Sequence, residues 1–340
     1  MVALTIVNRL IYCKMEKMNI AVISLGFLGD TLMVEPLCRN IRHAFPNSKI
    51  IFIANKVFED IPKGFDSVDE IFSFDKTGIH KGFKGYLRFA KDFPYKGKID
   101  YCIVTHEHER SLITAKLIGS KKIISKPIRR SLLNLFINMK RNIVNSEIEN
   151  SYRADYFTDF LQPLAKAEHL PVIYRRDDVD ESAVLEKFNL PEKYIILSPT
   201  SKDLIKDWDF ENVKGFMENS PLPVVLVGTD KAQELSQKLN ECKVNYTDLT
   251  NRTTITELGV LIKHAQVCVS MDTGTFHFSY AQGVKTVGIF FNPRFVKMWC
   301  PQNVTNIELL IGEKYWKNQK AECIKDVTYK EVLLKVEKLI

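Results

Sequence analysis

Residues 267–291, VCVSMDTGTFHFSYAQGVKTVGIFF, gather the groups in this chain best suited to holding an anion. An apolar run ends at Ser270, Asp272-Thr273-Gly274 follow, and a helix carrying His277 runs to Gly283, where a second apolar run begins. The start of such a helix presents N–H groups without intrahelical partners and the positive end of the helix dipole, which together favour a phosphate. Thr273 and Gly274 can offer N–H groups to it. His277 lies one turn beyond Gly274 and faces the same side, although a histidine satisfied within the core would look the same.

Two further clusters carry groups of this kind. Gly26-Phe27-Leu28-Gly29-Asp30-Thr31 follows an apolar run, and its two glycines permit a tight turn and close approach of a ligand, although the pattern is not G-x-G-x-x-G. Asp30, at the start of a helix, reads either as a cap accepting backbone N–H groups or as a carboxylate able to take a proton from a hydroxyl. Ser198-Pro199-Thr200-Ser201-Lys202 ends another apolar run, with Lys206-Asp207-Trp208 shortly after. The hydroxyls of Thr200 and Ser201 and a cation such as Lys206 suit a diphosphate; a polar loop anchored by Trp208 is the plainer reading. Asp207-Trp208-Asp209 is formally D-x-D, but Asp209 reads as a helix cap and Trp208 as packing. His106-Glu107-His108 lacks the H-E-x-x-H spacing, and residues at i, i+2 do not share a helix face, so neither zinc nor any other metal or cofactor is expected.

These clusters need elements to place them, and the chain alternates strands and helices. Runs at 20–24 (IAVIS), 49–54 (KIIFIA), 68–72, 101–105 (YCIVT) and 122–125 read as strands, with helices over 29–44 and 152–164. After a polar stretch bounded by Pro171 and Pro191, strands at 194–198 (YIILS) and 223–227 (PVVLV) and helices over 210–219, 231–239 and 255–265 resume the pattern. A polar stretch follows Pro301, and an amphipathic helix over 329–340 closes the chain. The fold class predicted is α/β: two Rossmann-like halves with parallel sheets that bind ligands at the carboxyl ends of their strands, in a shared cleft. The expected divisions are an N-terminal extension 1–18, a first domain 19–170, a linker 171–191, a second domain 192–318 and a terminal segment 319–340.

At 340 residues two domains are expected, and 45% hydrophobic with 26% charged residues is ordinary for a soluble globular chain. No apolar run approaches the roughly 20 residues that span a bilayer. Seven scattered cysteines without a C-x-x-C pair fit a reduced cytoplasmic protein. The opening stretch is interrupted by Arg9 and reads as an extension, with Met15 or Met18 as the start, rather than as a signal peptide.

The net charge of +7 is unevenly placed. Residues 119–141 hold seven basic side chains (Lys121, Lys122, Lys126, Arg129, Arg130, Lys140, Arg141) and no acidic one, around SLLNLFINM, which is apolar at helical spacing. Such a helix can lie on an anionic membrane surface or clamp an anionic substrate; a solvated face beside a core helix fits equally. The charge run has no interleaved aromatic motif, so nucleic acid is not an expected partner.

Taken in order, several segments resemble glycosyltransferase family 9, the ADP-heptose:lipopolysaccharide heptosyltransferases. They are ISLGFLGDTLMVEPLCRNIRHAFPNSKI, LIGSKKII, RADYFTDFLQPL, SPTSKDLIKDW with its K-x-W ending, the D-[ST]-G-x-x-H and A-x-G-x-x-T-[VI] signature within 248–291, and CIKDVTYKEVLLKV. The likeness runs from about Asn19 to the C-terminus. It implies a GT-B fold, two facing Rossmann-like domains with the terminal helix returning to the first, and an inverting, metal-independent sugar transfer. Carried over by position, Asp30 resembles the general base for the acceptor hydroxyl. Lys206 resembles the lysine that stabilises charge at the donor, and Thr200, Ser201, Asp272, Thr273, Gly274 and His277 resemble the donor-binding set. Gly26 departs from the family's usual Ser or Ala, and GTDKAQE after 224–227 departs from its usual acidic residue.

The expected partners are therefore a nucleotide sugar, with ADP-heptose implied, and an anionic lipid-linked saccharide at the cytoplasmic surface of the inner membrane. Lys121, Lys122, Lys126, Arg129 and Arg130 are the expected acceptor or membrane contacts. Two alternatives stay open: a GT-B enzyme using another nucleotide sugar for capsule or glycan synthesis, and a non-catalytic nucleotide-sugar binder.

Overall fold

The computed structural model describes residues 17–140, 151–202, 206–302, 304–312 and 324–340. The expected extension lies outside these residues except for its last two, and so does Arg141 of the basic run. The chain divides into two compact units, Met1–Arg175 and Arg176–Ile340.

In the first unit, strands β1 (Asn19–Ser24), β2 (Lys49–Asn55), β3 (Glu70–Phe74), β4 (Tyr101–Val104), β5 (Lys122–Ser125) and β6 (Met139–Lys140) form one sheet in the order β3-β2-β1-β4-β5-β6. Every pairing is parallel. The central strands are buried on both faces, which is why they read as near-continuous apolar runs rather than alternating ones. Helices α1 (Leu28–Leu32), α2 (Glu35–Ala44), α3 (Gly82–Asp92), α4 (Glu109–Leu117) and α5 (Arg153–Thr158) accompany the sheet.

Two expected helices are interrupted. The helix expected over 29–44 is α1 and α2 with a break at Met33 and Val34. Pro36 lies in the first turn of α2, where its missing N–H costs nothing; deep inside one continuous helix it would have removed a hydrogen bond. The helix expected over 152–164 is α5 followed by a 3₁₀ turn, Asp159–Leu161.

The chain is anchored on either side of the start of the expected linker. Asn40 exchanges hydrogen bonds with the backbone of Glu168 (2.8 and 2.9 Å), and the Ile173 N–H donates to Glu35 (3.1 Å). Burial pushes the Glu35 carboxyl up to about 7, against the lowering effect of Arg39. Further on, residues read as linker form helix α6 (Glu181–Phe188), held by Lys263 and His264 on Glu181 at 2.6 and 2.8 Å.

In the second unit, strands β7 (Ile195–Ser198), β8 (Val224–Leu226), β9 (Thr247–Asp248), β10 (Val267–Met271), β11 (Thr286–Phe290) and β12 (Ile307–Ile311) form a second parallel sheet in the order β12-β11-β10-β7-β8-β9. Counted from its own first strand, this is the same order as in the first sheet, although the two halves share no readable repeat. Helices α7 (Phe210–Asn219), α8 (Asp230–Glu241), α9 (Ile255–Lys263), α10 (Gly274–Ala281), α11 (Pro293–Trp299) and α12 (Tyr329–Leu339) complete the unit. β12 falls in the stretch read as polar, because it is an edge strand and only half-buried.

The terminal helix corrects one expectation. α12 does not return to the first domain: Val332 and Val336 are fully buried in the core of the second unit with Trp208 and Phe216. Lys335 pairs with Glu308 on β12 at 2.8 Å, and Lys338 pairs with the same carboxylate. Thr328 and Glu331 form a capping box that starts the helix. Its apolar stripe is thus spent on a surface within its own unit, where Trp208 Nε1 donates to Val327 O at 2.8 Å.

Candidate functional site

In an open parallel sheet the ligand crevice lies where neighbouring strands lead away in opposite directions. In the first unit that place is between β1 and β4, and in the second between β7 and β10. The residues singled out from sequence follow three of these four strands.

After β1, α1 begins with Asp30 in its third position, not at the cap itself. Asp30 Oδ2 accepts the Phe27 backbone N–H at 3.0 Å, and Oδ1 lies 3.6 Å from His106 Nε2. His106 follows β4. The Thr105 hydroxyl donates to Ile23 O at 3.1 Å and lies 3.0 Å from His106 Nδ1. This places Nε2 on the side of the ring turned toward Asp30. The Asp30 carboxylate and the His106 imidazole therefore face each other. Gly26 is explained by the same geometry: a Cβ there would sit 2.6 Å from Asp30 Cβ and 2.9 Å from His106 Nε2.

The surroundings of Asp30 are cationic. Lys76 donates to Leu25 O at 3.0 Å and stands over the Phe27 ring at 5.4 Å. Arg153 interacts electrostatically with Asp30 and Glu107, and burial lowers its pKa from the usual arginine value. Of the five basic residues expected as acceptor or membrane contacts, Lys126 pairs with Glu107 (2.7 Å), Lys121 pairs with Asp100 (2.8 Å) and Lys122 stands over the Tyr101 ring (5.9 Å). Arg129 and Arg130 are exposed. The helix expected around SLLNLFINM is a 3₁₀ turn, Leu132–Phe136, because Asn134 binds both the N–H and the C=O of Ile128 at 2.7 Å and folds the segment back.

In the second unit the loop after β7 meets the turn after β10. Lys206 Nζ donates to Asp272 Oδ2 at 2.7 Å; Asp272 is almost fully buried. The ammonium also lies 4.6 and 5.7 Å from the rings of Phe295 and Phe291, so a carboxylate and two aromatic faces fix its position. Thr273 caps α10 in extended backbone, and its hydroxyl lies 3.2 Å from Ser270 Oγ. His277 is buried, with Nε2 3.9 Å from Asp272 Oδ1 and its ring 5.6 Å from that of Trp299. Burial and the nearby Asp272 push the Cys300 thiol up to about 12, which leaves it protonated and no nucleophile.

The loop that carries Thr200 and Ser201 is held by Lys231. Its ammonium donates to Ser201 O at 2.8 Å and Lys202 O at 3.1 Å and lies 3.4 Å from Asp207, which accepts the Ser201 N–H at 2.5 Å. Asp209 caps α7 by accepting the Asn212 N–H at 3.3 Å. Lys206, Asp272, Thr273, Gly274 and His277 thus form one cluster, with Thr200 and Ser201 on the adjoining loop; Asp30 belongs to the other unit. The sequence reading weighed His106 only as a zinc ligand and missed Lys231, Phe291 and Phe295. His106 and Phe291 follow directly on apolar strands, and that position was the available signal; Lys231 carried none.

The family model for glycosyltransferase family 9 (heptosyltransferase) matches residues 100–327. The chain is 22% identical over 306 residues to lipopolysaccharide heptosyltransferase 3 of Escherichia coli, covering 84% of this chain and 87% of that protein. Its fold matches a glycosyl transferase family 9 structure from Veillonella parvula (TM-score 0.83, 19% identity, covering 96% and 98% of the two chains). It also matches the E. coli ADP-heptose lps heptosyltransferase II structure (TM-score 0.77, 16% identity, 95% and 98%). These likenesses make the fold GT-B. With two thirds of its length matched by the family model, the chain belongs to glycosyltransferase family 9 and is a glycosyltransferase.

Proposed function

We propose that the protein moves heptose, or a related sugar, from an ADP-sugar to a lipid-linked saccharide such as the lipopolysaccharide inner core, by inversion and without a metal. The observation that carries this reading is the pairing of chemistries at the two switch points. A carboxylate facing an imidazole lies in one sheet, and a fixed lysine beside a helix N-terminus lies in the other. Asp30 takes the proton of the acceptor hydroxyl as that oxygen bonds to the anomeric carbon. The bond from that carbon to the diphosphate breaks, and Lys206 with the first N–H groups of α10 holds the charge that develops on the leaving diphosphate. Thr200, Ser201, Thr273, Gly274 and His277 bind the donor, and Arg129 and Arg130 face the anionic acceptor or membrane. The names of the family relatives, which specify heptose, ADP-heptose and lipopolysaccharide, support this choice of substrates. The protein works at the cytoplasmic face of the inner membrane.

A thermal-shift panel of ADP, UDP, GDP and their sugars tests the donor. ADP and ADP-heptose are expected to raise Tm, by an amount equivalent to about 2.7 kcal/mol at a hundredfold excess over Kd, and the other bases are not. Stabilisation by UDP or GDP sugars alone would replace ADP in this reading.

His106 is a positioning residue for Asp30. His106→Phe keeps a ring against Phe157, now 5.0 Å away, but removes Nε2. It is expected to lower kcat by up to about 10²-fold with donor KM unchanged. A kcat equal to that of the unaltered protein would leave His106 a packing residue only.

A further inference from the structure

The layer of the first unit formed by α3, α4 and the turn Leu132–Phe136 has an outer surface unlike that of a solvated face. α3 packs beside α4 and α4 beside the turn. Phe89, Leu112, Leu133 and Phe136 on their inner sides share one apolar core with the sheet. On the outside, Leu132 and Leu135 are each 85% exposed. They are not on a loose loop: Asn134 clamps Ile128, and Ser131, which accepts the Leu133 N–H at 3.3 Å, donates to Glu109 at 2.8 Å. Arg129 and Arg130 precede Ser131, both exposed, with Arg130 in the left-handed backbone region (φ 58°).

On α3, Phe83 and Leu87 stand four residues apart and are 62% and 44% exposed, and Ile79, in the turn before the helix, is 58% exposed. Gly85 and Phe89 are buried on the opposite side, and Ala90 is buried on the side of Phe83. Lys81, Lys84, Arg88 and Lys91 surround that stripe, with Asp92 the one acidic residue in 81–92. Single exposed apolar side chains are ordinary; five large ones in one layer, fringed by cations, mark an interaction surface.

We propose that this surface docks the first unit on an anionic bilayer, with Leu132 and Leu135 inserted among the acyl chains and the Ile79–Phe83–Leu87 stripe lying in the interface. The occupant follows from charge complementarity: the fringe is basic on both elements, which suits an anionic lipid surface. Among the described residues no helix is long and apolar enough to cross a membrane, so contact of this kind is from one side. The inference deepens the membrane-side reading proposed above and rests on it. It shifts the attachment from charge alone to insertion, since Lys121 and Lys126 are engaged within the protein.

The test is sedimentation of the full chain with vesicles of phosphatidylethanolamine and phosphatidylglycerol, against phosphatidylcholine alone. The unaltered protein is expected to bind the anionic vesicles in a salt-sensitive manner. Leu132→Ser with Leu135→Ser is expected to weaken partitioning by about tenfold or more, as is Phe83→Ser with Leu87→Ser. Turnover of a delipidated, water-soluble acceptor stays unchanged in both, which shows the fold intact. Leu132→Cys carrying an environment-sensitive fluorophore is expected to shift to the blue on anionic vesicles. Binding by the leucine variant equal to that of the unaltered protein overturns insertion and leaves charge-only attachment. Absence of binding by the unaltered protein overturns insertion and the membrane-side reading together. Self-association abolished by the leucine changes, with vesicle binding untouched, assigns the surface to a protein partner instead.

Discussion

Asp30→Asn is expected to lower kcat by about 10²–10⁴-fold, the usual worth of a positioned general base, with donor affinity unchanged. The substitution is chosen for what it keeps. Asp30 Oδ2 accepts the Phe27 N–H at 3.0 Å, and an amide oxygen can do the same, so α1 keeps its start. Asp30→Ala loses both functions, and the lost capping contact costs about 1 kcal/mol more in stability. Steady-state transfer assays beside thermal denaturation separate the two roles. Transfer should be lost in both variants, and stability chiefly in the alanine one. An asparagine variant within a few-fold of normal activity would make Asp30 a helix-start residue and nothing more.

Lys206→Met is expected to have the second largest effect, and it should be double. Removing the cation near a leaving diphosphate costs on the order of 10²–10³-fold in kcat, as for other preorganised charge-stabilising donors. The same change leaves Asp272, only 3% exposed at its side chain, as a buried carboxylate without its 2.7 Å partner. Breaking a buried pair from one side costs about 3–5 kcal/mol. Methionine still packs against Phe291 and Phe295, so the loss is of charge rather than volume. The double variant Lys206→Met with Asp272→Asn should recover most of the stability and none of the transfer. Recovery of transfer along with stability would show that Lys206 acts only by neutralising Asp272.

Much of this site could be read from the order of residues, because its parts are local. Each cluster directly follows an apolar run, and a strand end joined to a helix start is a short-range feature that small residues and hydroxyls mark plainly. The D-x-D at 207–209 was also legible: Asp209 is a cap and Trp208, 3% exposed, is packing. Helices α3 and α4 were not legible, since α3 carries two glycines and an exposed apolar stripe that blur its periodicity. The role of His106 was hidden because its partner, Asp30, lies on a different strand's loop.

Residue order alone established the alternating α/β pattern, the clusters at strand ends and the family resemblance. Each depends on periodicity or on neighbours within a few residues. Tertiary structure decided the rest. It placed Asp30 at the third helical position against the histidine that follows β4, and it seated Lys206 between a buried carboxylate and two rings. It kept α12 on its own unit, because the surface that matches Val332 and Val336 is built from Trp208 and Phe216, more than a hundred residues away. It also turned SLLNLFINM outward: two of its leucines are left in solvent by a clamp between Asn134 and Ile128, a contact that hydropathy does not register.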